Sequence, residues 1–335
     1  MWLALAIACG GGDGPVSVKD LELDLIELPD NPIQGFALDK SGTPWIAIGN
    51  VALLYVQDAE VHGGWEDREY PERQNDLPEQ FWDMRTDPLG DGVLFQGWDG
   101  VYRVDLAQFE LVNVADPGLY LRGVLGYDRL GQLWSHSERP DTFHELYAIL
   151  DDGPRIFTPI TMPGGMRYTA SVQHPDGRLI LFTEKGIWAI GDDAIPVELE
   201  SCLAPSLCSG VTLAIPSPDG SVLFAIDGAI RRIGASGPSL DWLDLPSGYE
   251  GRPTGMAFDR DGRLWMSRSD GSGSDVQLFD TSTGDLAVAR EEVTKPFTGF
   301  TPTMTLVGNG TSDLYLVDRG FDAEIQVIRF PPPEE

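Results

Sequence analysis

Short runs of apolar residues alternate along the chain with turns that contain an acidic residue and a glycine. In the clearest case, the apolar run at 255–258 leads through the turn Asp259-Arg-Asp-Gly262 into a second apolar run at 264–266. Two apolar runs on either side of a tight glycine turn are typical of paired strands. The first run has little polar alternation, which indicates a strand buried on both faces. The pattern therefore predicts a buried β-hairpin.

This hairpin pattern recurs along almost the whole chain. Seven turn glycines mark it, at Gly42, Gly90, Gly131, Gly177, Gly220, Gly262 and Gly310. Subtracting the numbers of neighbouring glycines gives spacings from 41 to 48 residues. A third apolar strand follows each hairpin, and a more polar fourth strand follows in most repeats. Seven such repeats with a period in the forties predict an all-β, seven-bladed β-propeller.

The last repeat lacks a fourth strand, because the prolines at 331–333 follow its third strand at 325–330. Residues 20–28 alternate acidic and apolar with period two, as an outer strand does. We therefore expect this N-terminal strand to pair with residues 325–330 and to complete the last blade, which closes the ring. The expected organisation is a single propeller domain at 19–331, followed by a tail at 332–335.

The N-terminus carries a short apolar run that ends in Cys9, and a glycine-rich stretch follows it. This order is similar to a bacterial lipoprotein signal, although no Lys or Arg precedes the run. The resemblance implies a signal segment at 1–9, lipidation of Cys9 and a flexible tether at 10–18. It places the protein in the bacterial cell envelope, on a periplasmic, outer-membrane or extracellular surface. The run itself is too short to span a bilayer.

The chain is strongly acidic, with 23 basic and 53 acidic side chains and a formal charge of −30. Phosphate backbones and anionic membrane surfaces repel such a protein, so we expect no nucleic-acid partner and no membrane contact beyond the lipid. Solubility alone also explains the acidity, because a high net charge keeps a secreted protein soluble. With Cys9 lipidated, Cys202 and Cys208 remain, and in an oxidising compartment this pair is expected to form a disulfide.

The turn motif Asp-x-x-Gly-x-Leu-Trp, seen at 259–265 and 128–134, resembles the repeats of known propellers. It is similar to the repeats in sensor domains of two-component regulators and in the superfamily of NHL-type propellers, gluconolactonase-like enzymes and streptogramin lyase. The resemblance covers the chain from about residue 20. The aspartate and the glycine build the turn, and the aromatic residue packs between blades. We therefore expect Asp39, Asp87, Asp128 and Asp259 to be structural, and the motif leaves function open.

The resemblance implies a ligand site at one mouth of the central channel, on the face opposite the glycine turns. Counting eight residues back from each turn glycine places Gly123, Thr212 and Pro302 there, together with several polar and aromatic side chains. With their close neighbours, the candidate ligand-binding residues are Gln34, Trp82, Asp83, Arg122, Tyr168, Thr169 and Thr254.

The gluconolactonase-like enzymes hold a divalent metal with carboxylates and an asparagine at this mouth, and the sequence shows no matching ring. The cofactor left open is a divalent cation, with Ca²⁺ as the candidate, which needs several oxygen ligands. The densest cluster of titratable groups contains His136, Glu138, Asp141 and His144, in a stretch expected to be a loop. A histidine beside a carboxylate can perform acid–base catalysis, but these residues also suit a solvated loop of an acidic protein.

Taken together, the sequence favours a monomeric, lipid-anchored propeller that binds a ligand or a protein partner at its channel mouth and catalyses nothing. Two alternatives stay open. One is a metal-dependent enzyme of the lactonase, hydrolase or lyase type that uses His136 or His144 with Glu138 or Asp141. The other is a purely structural envelope protein.

Overall fold

A computed structural model describes the chain in segments. They are residues 22–26, 28, 33–48, 52–57, 60–66, 81–87, 91–97, 100–105, 110–115, 121–139, 142–149, 157–161, 168–193, 195–201, 211, 213–226, 229–235, 240–244, 252–259, 262–269, 274–279, 304–308, 313–318 and 324–329. Every regular element in these segments is a β-strand. A search of the same residues for a long apolar helix of membrane-spanning length finds none.

The described strands form seven antiparallel sheets, which we call blades 1 to 7. Blade 1 contains β2 (Ile33–Leu38), β3 (Pro44–Ile48), β4 (Ala52–Gln57) and β5 (Glu60–Glu66). Blade 2 contains β6 (Phe81–Thr86), β7 (Val93–Gly97), β8 (Gly100–Asp105) and β9 (Glu110–Ala115). Blade 3 contains β10 (Leu121–Tyr127), β11 (Leu133–Arg139), β12 (Thr142–Ile149) and β13 (Phe157–Thr161).

The remaining blades repeat this order of strands. Blade 4 contains β14 (Tyr168–Gln173), β15 (Leu179–Thr183), β16 (Gly186–Ile190) and β17 (Pro196–Ser201). Blade 5 contains β18 (Ala214–Pro216), β19 (Val222–Ile226), β20 (Ala229–Ile233) and β21 (Leu240–Asp244). Blade 6 contains β22 (Arg252–Phe258), β23 (Leu264–Ser269) and β24 (Ser274–Phe279). Blade 7 contains β25 (Met304–Val307), β26 (Leu314–Asp318) and β27 (Glu324–Arg329), with β1 (Glu22–Ile26) at its outer edge.

The blades follow one another around a ring. The first strand of each blade contacts the first strand of the next, from β2 through β6, β10, β14, β18 and β22 to β25. Blade 7 then packs on blade 1 through a shared apolar core, in which the Phe36 and Tyr315 rings are 5.7 Å apart. The predicted all-β propeller is confirmed, and seven sheets are compatible with the seven predicted blades.

The predicted closing strand is confirmed. Strand β1 pairs antiparallel with β27, from Glu22 opposite Arg329 to Ile26 opposite Ile325. Ile26 is buried in the core shared by blades 1 and 7, so the closing strand is also held by apolar packing.

The turn aspartates act as structural acceptors, as the sequence predicts. Asp39, Asp128 and Asp259 are at most 2% exposed. Each carboxylate accepts a hydrogen bond from the indole N–H of the tryptophan six residues later, at 3.1, 2.8 and 3.0 Å. Asp128 also accepts the backbone N–H groups of Leu130 and Gln132. In blade 2 the corresponding Asp87 is paired with Arg103 at 2.6 Å.

The glycine turns lie on one face of the ring, which we call the turn face; the opposite face is the mouth face. In blade 7, Leu314 follows the turn and pairs with Ile328. The neighbouring residue, Arg329, pairs with Glu22 at the start of β1. The chain before Glu22 therefore joins the propeller at the turn face, and β1 runs from there toward the mouth face.

Candidate functional site

The first strands of five blades carry a β-bulge near the mouth face. In each case one more residue lies on the first strand than on its partner between two paired positions. The extra residue lies between Ile33 and Gly35, Phe81 and Met84, Leu121 and Gly123, Tyr168 and Ala170, or Pro253 and Gly255. A bulge bends its strand and redirects the extra side chain, and bulges are frequent next to active sites.

The bulges coincide with the predicted ligand-binding residues. The candidates at the bulges are Gln34, Trp82, Asp83, Arg122, Thr169 and Thr254, and Tyr168 immediately precedes one of them. The structure thus brings these residues to the mouth ends of the first strands in blades 1, 2, 3, 4 and 6. The side chains of Trp82, Asp83 and Arg122 lie outside the described part, as do Thr212 and Pro302.

Neutral polar groups dominate the described side chains at the bulges. Gln34, Thr169 and Thr254 are each partly buried. The Thr254 hydroxyl lies 3.1 Å from the Ser267 hydroxyl, which belongs to the next strand of blade 6. The Thr169 hydroxyl oxygen is buried, and the described residues supply no hydrogen-bond partner for it. A buried hydroxyl of this kind is suited to hydrogen bond with a ligand or a water.

His136, a candidate for acid–base catalysis, and Tyr168, a candidate ligand-binding residue, lie in contact between blades 3 and 4. The His136 ring on β11 lies 5.3 Å from the Tyr168 ring on β14, at an interplanar angle of 42°. Burial raises the pKa of the Tyr168 hydroxyl far above its ordinary value. Tyr168 therefore stays neutral at physiological pH and serves as a hydrogen-bonding and ring-packing group, not as a base.

The expectation of a loop between His136 and His144 is wrong. Strand β11 continues to Arg139 and β12 begins at Thr142, and these two residues pair. A bulge after the pair of Ser137 and Glu145 shifts the register of the two strands by one residue. The strands therefore stay hydrogen-bonded beyond this pair instead of separating into a loop. His136 pairs with Leu146, so the two histidines are not cross-strand partners. The side chains of Glu138 and His144 lie outside the described part, and Asp141 lies outside it entirely.

The other described histidine side chains lie away from the mouth. His62 stacks on Tyr55 at the outer strand of blade 1, with ring centroids 5.2 Å apart. His174 is buried in the glycine turn of blade 4, where its Nδ1 accepts the backbone N–H of Asp176. Among described histidine side chains, His136 is therefore the one that could act at the mouth.

Sequence reasoning missed two polar residues of the first and second strands. The Arg85 guanidinium reaches from blade 2 past blade 3 to blade 4, donating to the Leu125 carbonyl at 3.1 Å and the Ser171 hydroxyl at 2.7 Å. Gln96 is 1% exposed, and its amide donates to the Gly97 carbonyl at 2.9 Å, which fixes the hairpin at the mouth. The available signal was a single arginine or glutamine at the end of an apolar strand.

A cavity lies on the face opposite the predicted site. It has a volume of about 370 Å³ and lies at the turn-face ends of the first strands of blades 5, 6 and 7. Its lining residues are Ile215, Pro216, Ser217, Pro218, Ala257, Phe258 and Gly308. We call it the turn-face cavity.

The described residues contain no group of three or more His, Cys, Asp or Glu side chains that could hold a metal ion. The predicted lipidation site Cys9 and the predicted disulfide Cys202–Cys208 lie outside the described residues. In blade 6, strands β23 and β24 stay paired as far as Ser269 and Ser274.

No family model and no curated protein matches the chain. Solved structures do match it. A streptogramin B lyase matches with a TM-score of 0.69 and 14% identity, over 95% of this chain and 100% of that one. A catalytically inactive histidine-to-alanine variant of virginiamycin B lyase from Staphylococcus aureus, solved with quinupristin, matches with a TM-score of 0.68 and 15% identity, over 93% and 100%.

A third match is the extracellular domain assigned to the hybrid two-component system BT4673 of B. thetaiotaomicron. Its TM-score is 0.62 at 15% identity, over 91% of this chain and 42% of that one. At such identities the likeness establishes the propeller fold and leaves the activity open. Sensor domains and streptogramin lyase were both named by the sequence resemblance, so that resemblance is confirmed at the level of fold.

Proposed function

We propose that this chain is a non-catalytic, envelope-anchored β-propeller lipoprotein that binds a ligand or a protein partner through its mouth face. The observation that carries the proposal is the coincidence of five first-strand bulges with the polar and aromatic residues of the mouth. Bulges interrupt a ladder and cost stability, so five at the same end of the ring favour a selected recognition surface.

The chemistry of the described mouth supports binding over catalysis. Gln34, Thr169 and Thr254 offer neutral donors and acceptors, and Tyr168 is held in its neutral form. Such groups fix the orientation of a ligand without transferring protons at physiological pH. The extracellular-domain structures that resemble the chain are compatible with an envelope or extracellular location.

The path of the chain supports a definite orientation on the membrane. The segment before Glu22 joins blade 7 at the turn face, because Glu22 pairs with Arg329. A lipid on Cys9 would be connected there through residues 10–21, and a flexible coil of that length has a mean reach of about 20 Å. The turn face would then lie toward the membrane, and the mouth face would be open to a partner.

Replacing Cys9 by serine is expected to release the protein from the membrane. The lipid is the sole attachment that the proposal provides, since an acidic surface gains nothing from anionic lipids. In fractionated host cells the parent chain should sediment with membranes and the Cys9→Ser chain should be soluble. The matched control is Cys202→Ser, which should stay in the membrane fraction. Equal membrane association of both variants would rule out lipidation at Cys9.

The enzyme alternative is favoured by one observation, the contact of His136 with Tyr168 near the mouth. A lactonase- or lyase-like enzyme of this design would depend on a divalent ion held by oxygen ligands. We expect the purified Cys9→Ser chain, dialysed against buffer with calcium and magnesium, to retain no metal by mass spectrometry. About one tightly held ion per chain would favour the enzyme and contradict the binding proposal.

A further inference from the structure

The turn-face cavity is a described feature that the proposed function leaves unused. Its walls are mostly carbon, from Pro216 and Pro218 of blade 5 and Ala257 and Phe258 of blade 6. Phe258 belongs to the apolar core between these blades, and Ile215 packs against that core. The cavity floor is therefore the core itself, and covering it with an apolar group would remove this surface from water.

We propose that the C-terminal segment, residues 330–335 with the sequence Phe-Pro-Pro-Pro-Glu-Glu, docks in the turn-face cavity. Strand β27 runs toward the turn face and ends there at Arg329, so the segment begins on the correct face. The occupant is thus part of this chain, and this interaction is separate from ligand binding at the mouth face.

The segment is long enough to reach the cavity. Ile328 lies opposite Leu314, and Val307 lies opposite Tyr315, which places Gly308 level with Ile328 across two strand spacings. Two spacings amount to about 10 Å. Six residues in a polyproline conformation extend for about 19 Å. Residues 330–333, which end with the last proline, account for about 12 Å of this length, so the prolines reach the cavity rim at Gly308.

The composition of the segment fits the cavity walls. Consecutive prolines form a stiff extended helix in advance of binding, and such segments dock on aromatic and proline-lined grooves at low entropic cost. The two glutamates that follow would remain in water at the open rim. The N-terminal segment also enters at the turn face, but it joins β1, one strand further from the channel, and residues 16–21 contain no proline.

The test places a nitroxide on the segment and measures methyl signals in the full chain. Glu334→Cys carries the label in a chain whose three native cysteines are serine. Docking predicts loss of the methyl signals of Ile215 and Ala257, which line the cavity. The methyl signals of Ile48 and Ile226, at the mouth ends of their strands, should be unaffected.

Two proline variants separate docking from chance proximity. Pro218→Glu adds a charge at the cavity rim and should restore the Ile215 and Ala257 signals. Pro175→Glu changes the corresponding exposed turn residue of blade 4 and should leave the loss as in the parent. Equal signal loss in both variants, or no loss in the parent, would overturn the proposal. So would transfer of the loss to an unlabelled chain mixed with the spin-labelled one, because the occupant would then be a second copy.

Discussion

Replacing Gly255 by alanine is expected to lower the free energy of unfolding by about 3 kcal/mol, because the added methyl has no room. An alanine Cβ would overlap the backbone nitrogen of Leu306 and lie 2.8 Å from its Cα. Leu306 belongs to the first strand of blade 7, so the clash is with a backbone and cannot be relieved by a rotamer change. Blade 6 would have to move away from blade 7, next to the mouth bulge at Thr254.

Urea denaturation followed by tryptophan fluorescence measures this loss of stability. Gly234→Ala is the matched control, because no described atom lies within 4 Å of the position that its methyl group would take. We expect the control to change stability by less than about 1 kcal/mol. Equal stability of the Gly255 and Gly234 variants would show that blades 6 and 7 are not packed as closely as described.

Replacing Asp128 by alanine is expected to cost about 3–4 kcal/mol, because three donors lose their acceptor. The carboxylate accepts from the backbone N–H groups of Leu130 and Gln132 at 2.9 Å each, and from the indole of Trp134 at 2.8 Å. Trp134 is fully buried, so no water can replace the acceptor without opening the core between blades 3 and 4.

Two controls separate this network from the general effect of removing an acid. Asp192→Ala removes a side chain that is 71% exposed and paired with Arg129, so it should cost less than about 1 kcal/mol. Asp128→Asn keeps one oxygen for the turn but directs an N–H₂ group toward the Trp134 indole, and its loss should be intermediate. A tolerated Asp128→Ala variant would refute a structural role for the turn aspartates.

The repeat and its closure could be predicted because they depend on local patterns. The turn motif places Asp259 and Gly262 at fixed distances from Trp265, and the structure uses the same spacing for the buried hydrogen bond. The period-two pattern at 20–28 predicted β1, which the structure describes at Glu22–Ile26. The bulges of five blades lie where counting back from the turn glycines placed the candidate mouth residues, and the role of those residues stays a prediction.

Other features were missed because they depend on contacts between blades. The hydrogen bond from Arg85 to Ser171 joins residues 86 positions apart, so the lone arginine visible in the sequence does not reveal its partner. The turn-face cavity likewise results from how blades 5, 6 and 7 converge.

The residues at which strands end were predicted less accurately than the existence of the strands. The apolar run at 264–266 ends before Ser267 and Arg268, yet both residues pair with β24. At a propeller mouth a hairpin can extend past the apolar core with polar side chains, because its outer end faces water. Hydrophobic pattern alone therefore ends such a strand too early.

Photo-crosslinking in the host cell tests whether the mouth face is the binding surface. A benzoylphenylalanine is placed at Gln34, in the mouth bulge of β2, or at Lys40, exposed in the turn that follows the same strand. We expect a covalent adduct from position 34 and none from position 40, whether the partner is a protein or a small ligand. An adduct from position 40 alone would assign recognition to the turn face, and no adduct from either would favour a purely structural protein.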